Sequence, residues 1–412
     1  MECDIVKPIM EAKIEFVAEG TVTSPKGFHA GATYSGIKKK ATDSLDLGIL
    51  FSEASCMATG VFTTNRIKAA PVVLCQERLK LGKAVAVVVN SGCANACSGE
   101  QGLADAAEMA ALVAKGIGVL PEDVLVASTG VIGQRLPMEL IRAGIGQIIL
   151  STDGGHSLVK AMMTTDTVPK EVAVRVGESE SVIGGITKGS GMIHPELATL
   201  LCFLTTDAAV DIDFLKSTLS KAVNISFNMI SIDGDTSPND MVLIMANGMA
   251  GGEVIRQDSE QADAFQQALD QVCIYLAKSI ARDGEGASKL IEVSVDGAGS
   301  VAEAKLAVRT IVASPLVKAA VHGNDPNWGR IIAAVGRSGV EVVESKIDLY
   351  LGDICVMKEG RPLPFDKRDV VGVLKGSEVS ISLNLNLGNA VATAWGCDLS
   401  EEYVTINSQY MT

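Results

Sequence analysis

Apolar residues recur at helical spacing in three stretches and at every second position in a fourth. Asp258 to Ala281 carries the clearest helical stripe, with Phe265, Leu269, Val272 and Leu276 on one face. Asp211 to Ile225 repeats the pattern through Phe214, Leu215, Leu219 and Val223, and Asp211 is placed to cap its first turn. Leu103 to Lys115 reads as a third helix. Ser377 to Leu387 alternates strictly through Val379, Ile381, Leu383, Leu385 and Leu387, which predicts a half-buried strand. Lys83 to Asn90 is a continuous valine-rich run, read as a buried strand leading through Ser91-Gly92 into a turn near Asn95. Such mixing of elements, with no internal repeat, predicts a layered α/β fold. The kink at Gly284-Glu285-Gly286 sets the predicted boundary between a main catalytic lobe, 1–286, and a smaller C-terminal α/β domain, 287–412.

Composition narrows the class. With 47% hydrophobic and 20% charged residues the 412-residue chain is globular, and with 4% aromatics its core must be aliphatic. A formal charge of −14 argues against nucleic acid or an anionic membrane as partner. No apolar run approaches the roughly 18 to 20 residues of a spanning helix. Met1-Glu2-Cys3-Asp4 opens neither a signal nor a transit peptide, so a soluble cytoplasmic protein is expected. The nine cysteines show no framework spacing: Cys93 and Cys97 are four apart, and Cys202 and Cys273 sit among apolar neighbours, as buried free thiols do. The four histidines, His29, His156, His194 and His322, form no metal-binding pattern, so no metal is expected.

Candidate chemistry centres on the run Lys188 to Thr199. Thr199 stands between Ala198 and the apolar stretch Leu200 to Leu204, downstream of Gly189-Ser190-Gly191, whose glycines allow a tight bend. A threonine hydroxyl needs a base beside it. Cutting the chain just before the threonine frees its own α-amine, with a reference pKa of about 7.7 to 8.0, to serve as one. The ordinary reading of such a residue is a strand or core threonine behind a Gly-Ser-Gly loop.

The segment Lys188 to Ala208 resembles the self-cleavage segment of the ArgJ family of ornithine acetyltransferases, also called glutamate N-acetyltransferases. The resemblance runs from Gly27-Phe28 to Thr412. It implies a fold of the layered ArgJ/DmpA-like type. It also implies a self-made cut between Ala198 and Thr199, giving an α chain 1–198 and a β chain 199–412 that assemble as a heterotetramer of two each. Because the bond lies inside an apolar segment, both pieces are expected to stay in one folded body.

The resemblance extends to the site. Val126 to Gly133 resembles the family's oxyanion-hole segment and implies that Thr129 and Gly130 donate to the developing alkoxide. Met163-Thr164-Thr165-Asp166-Thr167 resembles its substrate segment; Thr165 takes the binding role, with Thr164 a close competitor. Lys188 is implied to meet a substrate carboxylate, and Glu285 a side-chain ammonium. A carboxylate just past a helix C-terminus does nothing for that helix, which favours a functional role for Glu285. Asn407 and Thr412 are implied to reach into the site from the C-terminal tail. Two departures stand out: Glu196 and Cys93 occupy positions where the family pattern has asparagine. Asp233-Gly234-Asp235-Thr236 and Asn324 to Arg330 also match and read as structural or site-supporting.

The implied reaction moves the acetyl group of N-acetylornithine onto Thr199 and then to glutamate, in arginine biosynthesis, with no cofactor. Acetyl-CoA serves some members as an additional donor. Two rivals are an N-terminal-nucleophile amidohydrolase or aminopeptidase, with water as acceptor, and a nucleotide-binding protein. The second rests on Gly284-Glu285-Gly286-Ala287-Ser288-Lys289, which follows a helix and lacks phosphate-loop spacing.

Overall fold

Asp211 caps its helix as its position predicts. Its carboxylate accepts from the Asp213 and Phe214 N–H groups, and the helix runs Ile212–Ile225. The longest helix is Ala262–Arg282 rather than a helix from Asp258. The preceding residues form a turn instead: Arg256 N–H donates to Ser259 Oγ at 2.8 Å, and Ser259 N–H returns to the Arg256 carbonyl. Its buried face runs through Phe265, Leu269, Val272, Leu276 and Ile280. The helix expected over Leu103 to Lys115 spans Gly99–Ile117. The alternating strand is Glu378–Asn384, shorter than its pattern, because Asn386 turns into the left-handed region (φ 51°) with its N–H on Asn384 Oδ1.

The computed structural model describes residues 13–38, 44–177, 180–194 and 200–409. Ala198, Thr199, Glu196 and Thr412 lie outside the described residues. Two sheets carry the fold. In the larger, the order is Ile14–Phe16, Lys170–Val176, Ser181–Lys188, Leu201–Val210, Met241–Ile255, Leu47–Phe62, Lys83–Cys93 and Val124–Val131. Phe28–Thr33 adds to Leu47–Phe62. Two pairings are parallel: Leu201–Val210 with Met241–Ile255, and Lys83–Cys93 with Val124–Val131. The smaller sheet orders Arg361–Pro362, Ile354–Lys358, Asp348–Leu351, Glu378–Asn384, Leu290–Ala298 and Ala390–Cys397, and ends on Ile230–Ser231.

Ala262–Arg282 packs against both sheets, touching Lys170–Val176 and Ser181–Lys188 on one and Ala390–Cys397 on the other. The core it belongs to is continuous from Val172 and Leu204 to Ile381 and Trp395. Ala70–Arg78 and Gly155–Met162 pack with Val87, Val89, Leu125 and Ala127 of the larger sheet, and Gly99–Ile117 packs on the opposite face of the same strands, against Ala86, Val88, Val124 and Val126. This is the layered α/β architecture expected from the sequence. Cys202 and Cys273 are buried free thiols, and burial raises both. Among the described residues no helix is long and apolar enough to cross a membrane.

Candidate active site

Four strands of the larger sheet end together. Lys188 pairs with Leu201, Leu201 with Met241, and Met241 with Phe62. The loop before Met241 reaches across to the strand Val124–Val131, where Asn239 Nδ2 donates to the Ala94 and Ser128 carbonyls at 2.6 and 2.8 Å. Between these elements lies an open cleft of about 510 Å³, lined by Thr129, Gly130, Thr164, Thr165, Lys188 and Glu285. Five residues singled out in the sequence thus converge, and Thr164 lines the same cleft.

Two glycines make this approach possible. Gly130 has φ 125°, and a Cβ there would lie 2.4 Å from the Gly92 carbonyl carbon, so no other residue fits. A Cβ on Gly191 would fall 2.6 Å from the Glu285 carboxylate, so the bare backbone leaves room for that side chain. The Glu285 N–H donates to the Ser190 carbonyl at 2.8 Å, fixing the two loops together. Thr165 Oγ1 and Ser190 Oγ share a hydrogen bond of 2.6 Å.

Beneath the cleft is a buried charge network. Lys170 Nζ donates to Asp166 Oδ1 at 2.7 Å and to Asp283 Oδ2 at 2.6 Å, with all three side chains almost wholly buried. Asp166 also accepts from the Gly189 N–H at 2.6 Å and the Thr164 N–H at 3.0 Å. Burial alone would raise the Asp166 carboxyl, but the ammonium groups of Lys188 and Lys170 outweigh it and hold the group well below the usual carboxylate range. Burial lowers Lys188, with Lys170 adding to that, while Asp166, Asp240 and Glu285 favour its charged form. Asp283 also accepts from the Thr167 hydroxyl and, at 3.0 Å, the Thr167 N–H. One network therefore anchors the Thr165 loop, the Lys188 strand end and the Glu285 loop.

The C-terminal helix Glu401–Gln409 lies against the Glu285 loop. Asn407 Nδ2, on the tail residue named from the sequence, donates to Glu285 Oε2 at 2.7 Å. Asp233 accepts from the Met192 and Ile193 N–H groups at 2.5 and 2.8 Å and from Asp235 N–H, which makes its segment a loop-fastening device. Burial raises the Asp233 carboxyl. Burial, then the Asp233 and Glu285 charges, raise the Tyr403 phenol on the same helix. Cys93 is buried, with its thiol toward the Gln134 carbonyl.

Sequence reasoning did not single out Asp166, Lys170, Ser190, Asn239, Asp240 or Asp283. A signal existed for the first pair, a carboxylate and a lysine four residues apart at the entry to an apolar strand. The others come together only through strand pairing. Among the described residues no cluster of three His, Cys, Asp or Glu side chains is placed to hold a metal ion.

A glycine held at positive φ beside a threonine, facing a buried ammonium and a carboxylate, forms a cleft suited to acyl chemistry on a small zwitterionic molecule. The profile of the ArgJ family matches residues 29–412. The arginine biosynthesis bifunctional protein ArgJ of Dehalococcoides mccartyi (strain CBDB1) is 51% identical over 98% of this chain and 100% of its own. That of Symbiobacterium thermophilum is 51% identical over 97% of this chain and 100% of its own. A crystal structure of the same-named protein from Bacillus halodurans matches with a TM-score of 0.50 and 47% identity, covering 50% of this chain and 98% of that one. The chain belongs to the ArgJ family. It is an enzyme, an acyltransferase of arginine biosynthesis.

Proposed function

We propose that this enzyme transfers the acetyl group of N-acetylornithine to glutamate through an ester on Thr199, after cutting its own chain between Ala198 and Thr199. The observation that carries the reading is the convergence of Thr129, Gly130, Thr165, Lys188 and Glu285 on one cleft, with Asn407 hydrogen-bonded to Glu285. Thr199 leads directly into Leu200, whose carbonyl accepts the Met241 N–H at the closed end of the same sheet. Its freed α-amine serves as base, and its hydroxyl attacks the acetyl carbon. Thr129 and Gly130 meet the oxyanion, a contribution of about 3 kcal/mol per donor. Lys188 pairs with the substrate carboxylate and Glu285 with the ornithine ammonium. Glutamate then takes the acetyl group from the ester by attack of its α-amine, with no nucleotide consumed.

The self-made cut draws support from the solved ArgJ chain that matches half of this chain over nearly its whole length, since a cut at 198/199 divides the 412 residues nearly in half. The pieces 1–198 and 199–412 then assemble two by two, and Thr412 joins Asn407 at the cleft. The relatives' name as bifunctional proteins supports acetyl-CoA as a second acetyl donor. The test is ornithine release from N-acetylornithine with and without glutamate. Release that requires glutamate supports the transferase, and equal release without it makes the enzyme a hydrolase.

A further inference from the structure

The cut must happen before Thr199 has a free α-amine, so the base of the mature enzyme is not available to make it. Another group must take the hydroxyl proton and return one to the departing nitrogen. Asp240 stands where that group is needed. It is 1% exposed, directly follows Asn239 on the cleft wall, and enters the strand that pairs in parallel with the strand Thr199 leads into. Its Oδ1 accepts from Ser237 Oγ at 2.5 Å, while Oδ2 makes no hydrogen bond among the described residues. A buried carboxyl oxygen with so few donors is costly to ionise.

Besides Ser237, the Lys188 ammonium, the Leu200 N–H and the Thr63 side chain favour the ionised carboxylate. The Leu200 N–H belongs to the peptide that joins it to Thr199. Burial outweighs those partners and raises the Asp240 carboxyl well above its ordinary value, which makes its carboxylate a stronger base.

We propose that Asp240 carries the proton during self-cleavage. This rests on the reading that Thr199 cuts its own chain. As Thr199 Oγ bonds to the Ala198 carbonyl carbon, its proton passes to the Asp240 carboxylate. As the carbon–nitrogen bond breaks, that proton passes to the Thr199 nitrogen, leaving an amine and an ester. Water then hydrolyses the ester, releasing the Ala198 carboxylate and the Thr199 hydroxyl.

The test follows full-length chain made by cell-free synthesis, with the cut scored on denaturing gels over time and pH. Asp240→Asn should slow cleavage by about 10² or more, the usual worth of a positioned acid–base group, and Asp240→Glu should recover part of it. Ser237→Ala removes the bond that favours the carboxylate, so the rise of cleavage rate with pH should move to higher pH. A folded Asp240→Asn chain that cuts at the native rate overturns the proposal. If that variant does not fold, an unshifted pH profile in Ser237→Ala overturns it. Cutting of Thr199→Ala at the same bond would instead sink the self-cleavage reading on which the proposal rests.

Discussion

Replacing Asp166 with asparagine keeps the shape of the side chain and removes one buried charge. In the native protein this carboxylate holds Lys170 at 2.7 Å, accepts the Gly189 and Thr164 N–H groups, and lies near Lys188. Lys170 keeps Asp283 as a partner at 2.6 Å, but Lys188 loses the first of the charges that favour its protonated form. Breaking a buried pair by removing one partner costs about 3–5 kcal/mol, a large share of the roughly 5–15 kcal/mol that stabilises a typical domain. Urea denaturation near pH 7 should show that loss. Its pH dependence has a definite sign. Asp166 is held below its ordinary value of 3.8, so its stabilisation is complete above that pH and fades as the pH falls through the lowered value. The stability difference between native and variant chains should therefore shrink on acidification. With Lys188 left to deprotonate more readily, KM for N-acetylornithine should begin to rise at lower pH than in the native enzyme. Equal stability near neutrality, together with an unmoved KM profile, would refute the role given to this network.

Three further substitutions probe the cleft. Thr129→Ala should lower kcat by about 10² or more with less effect on binding of an unreactive analogue, since its hydrogen bond strengthens in the transition state; an equal loss of analogue binding would move Thr129 into the substrate pocket. Gly191→Ala places a methyl group 2.6 Å from the Glu285 carboxylate, so KM for N-acetylornithine should rise while the melting temperature changes little; unchanged KM would separate Glu285 from substrate. Glu285→Gln should slow acetylation by N-acetylornithine far more than deacetylation by glutamate, because only the first substrate brings a side-chain ammonium. Equal slowing of both half-reactions would make Glu285 a group common to the two steps.

Much of the fold was legible because local chemistry agreed with the tertiary outcome. Asp211 caps its helix, and the stripe through Phe265 and Leu276 faces the core that joins both sheets. Errors fell at element ends, where a side chain captures the backbone: Ser259 delays the long helix, and Asn384 stops the alternating strand. The site divides similarly. Thr129, Gly130, Lys188 and Glu285 lie in short segments that the family resemblance marks, and the cleft gathers them. Asp240 and Asp283 carry no local signature. Their roles arise from a parallel strand pairing and from contacts made more than a hundred residues away, as between Lys170 and Asp283. Spacing along a chain cannot display such contacts.

The most direct test of the account is the mass of the protein during turnover. The enzyme is mixed with N-acetylornithine in the absence of glutamate, quenched in acid, and its chains are weighed and mapped. The account predicts two chains divided between Ala198 and Thr199, the second carrying one acetyl group on Thr199 that glutamate removes as N-acetylglutamate forms. An uncut chain that turns over at the native rate, or an acetyl group on any other residue, would contradict it.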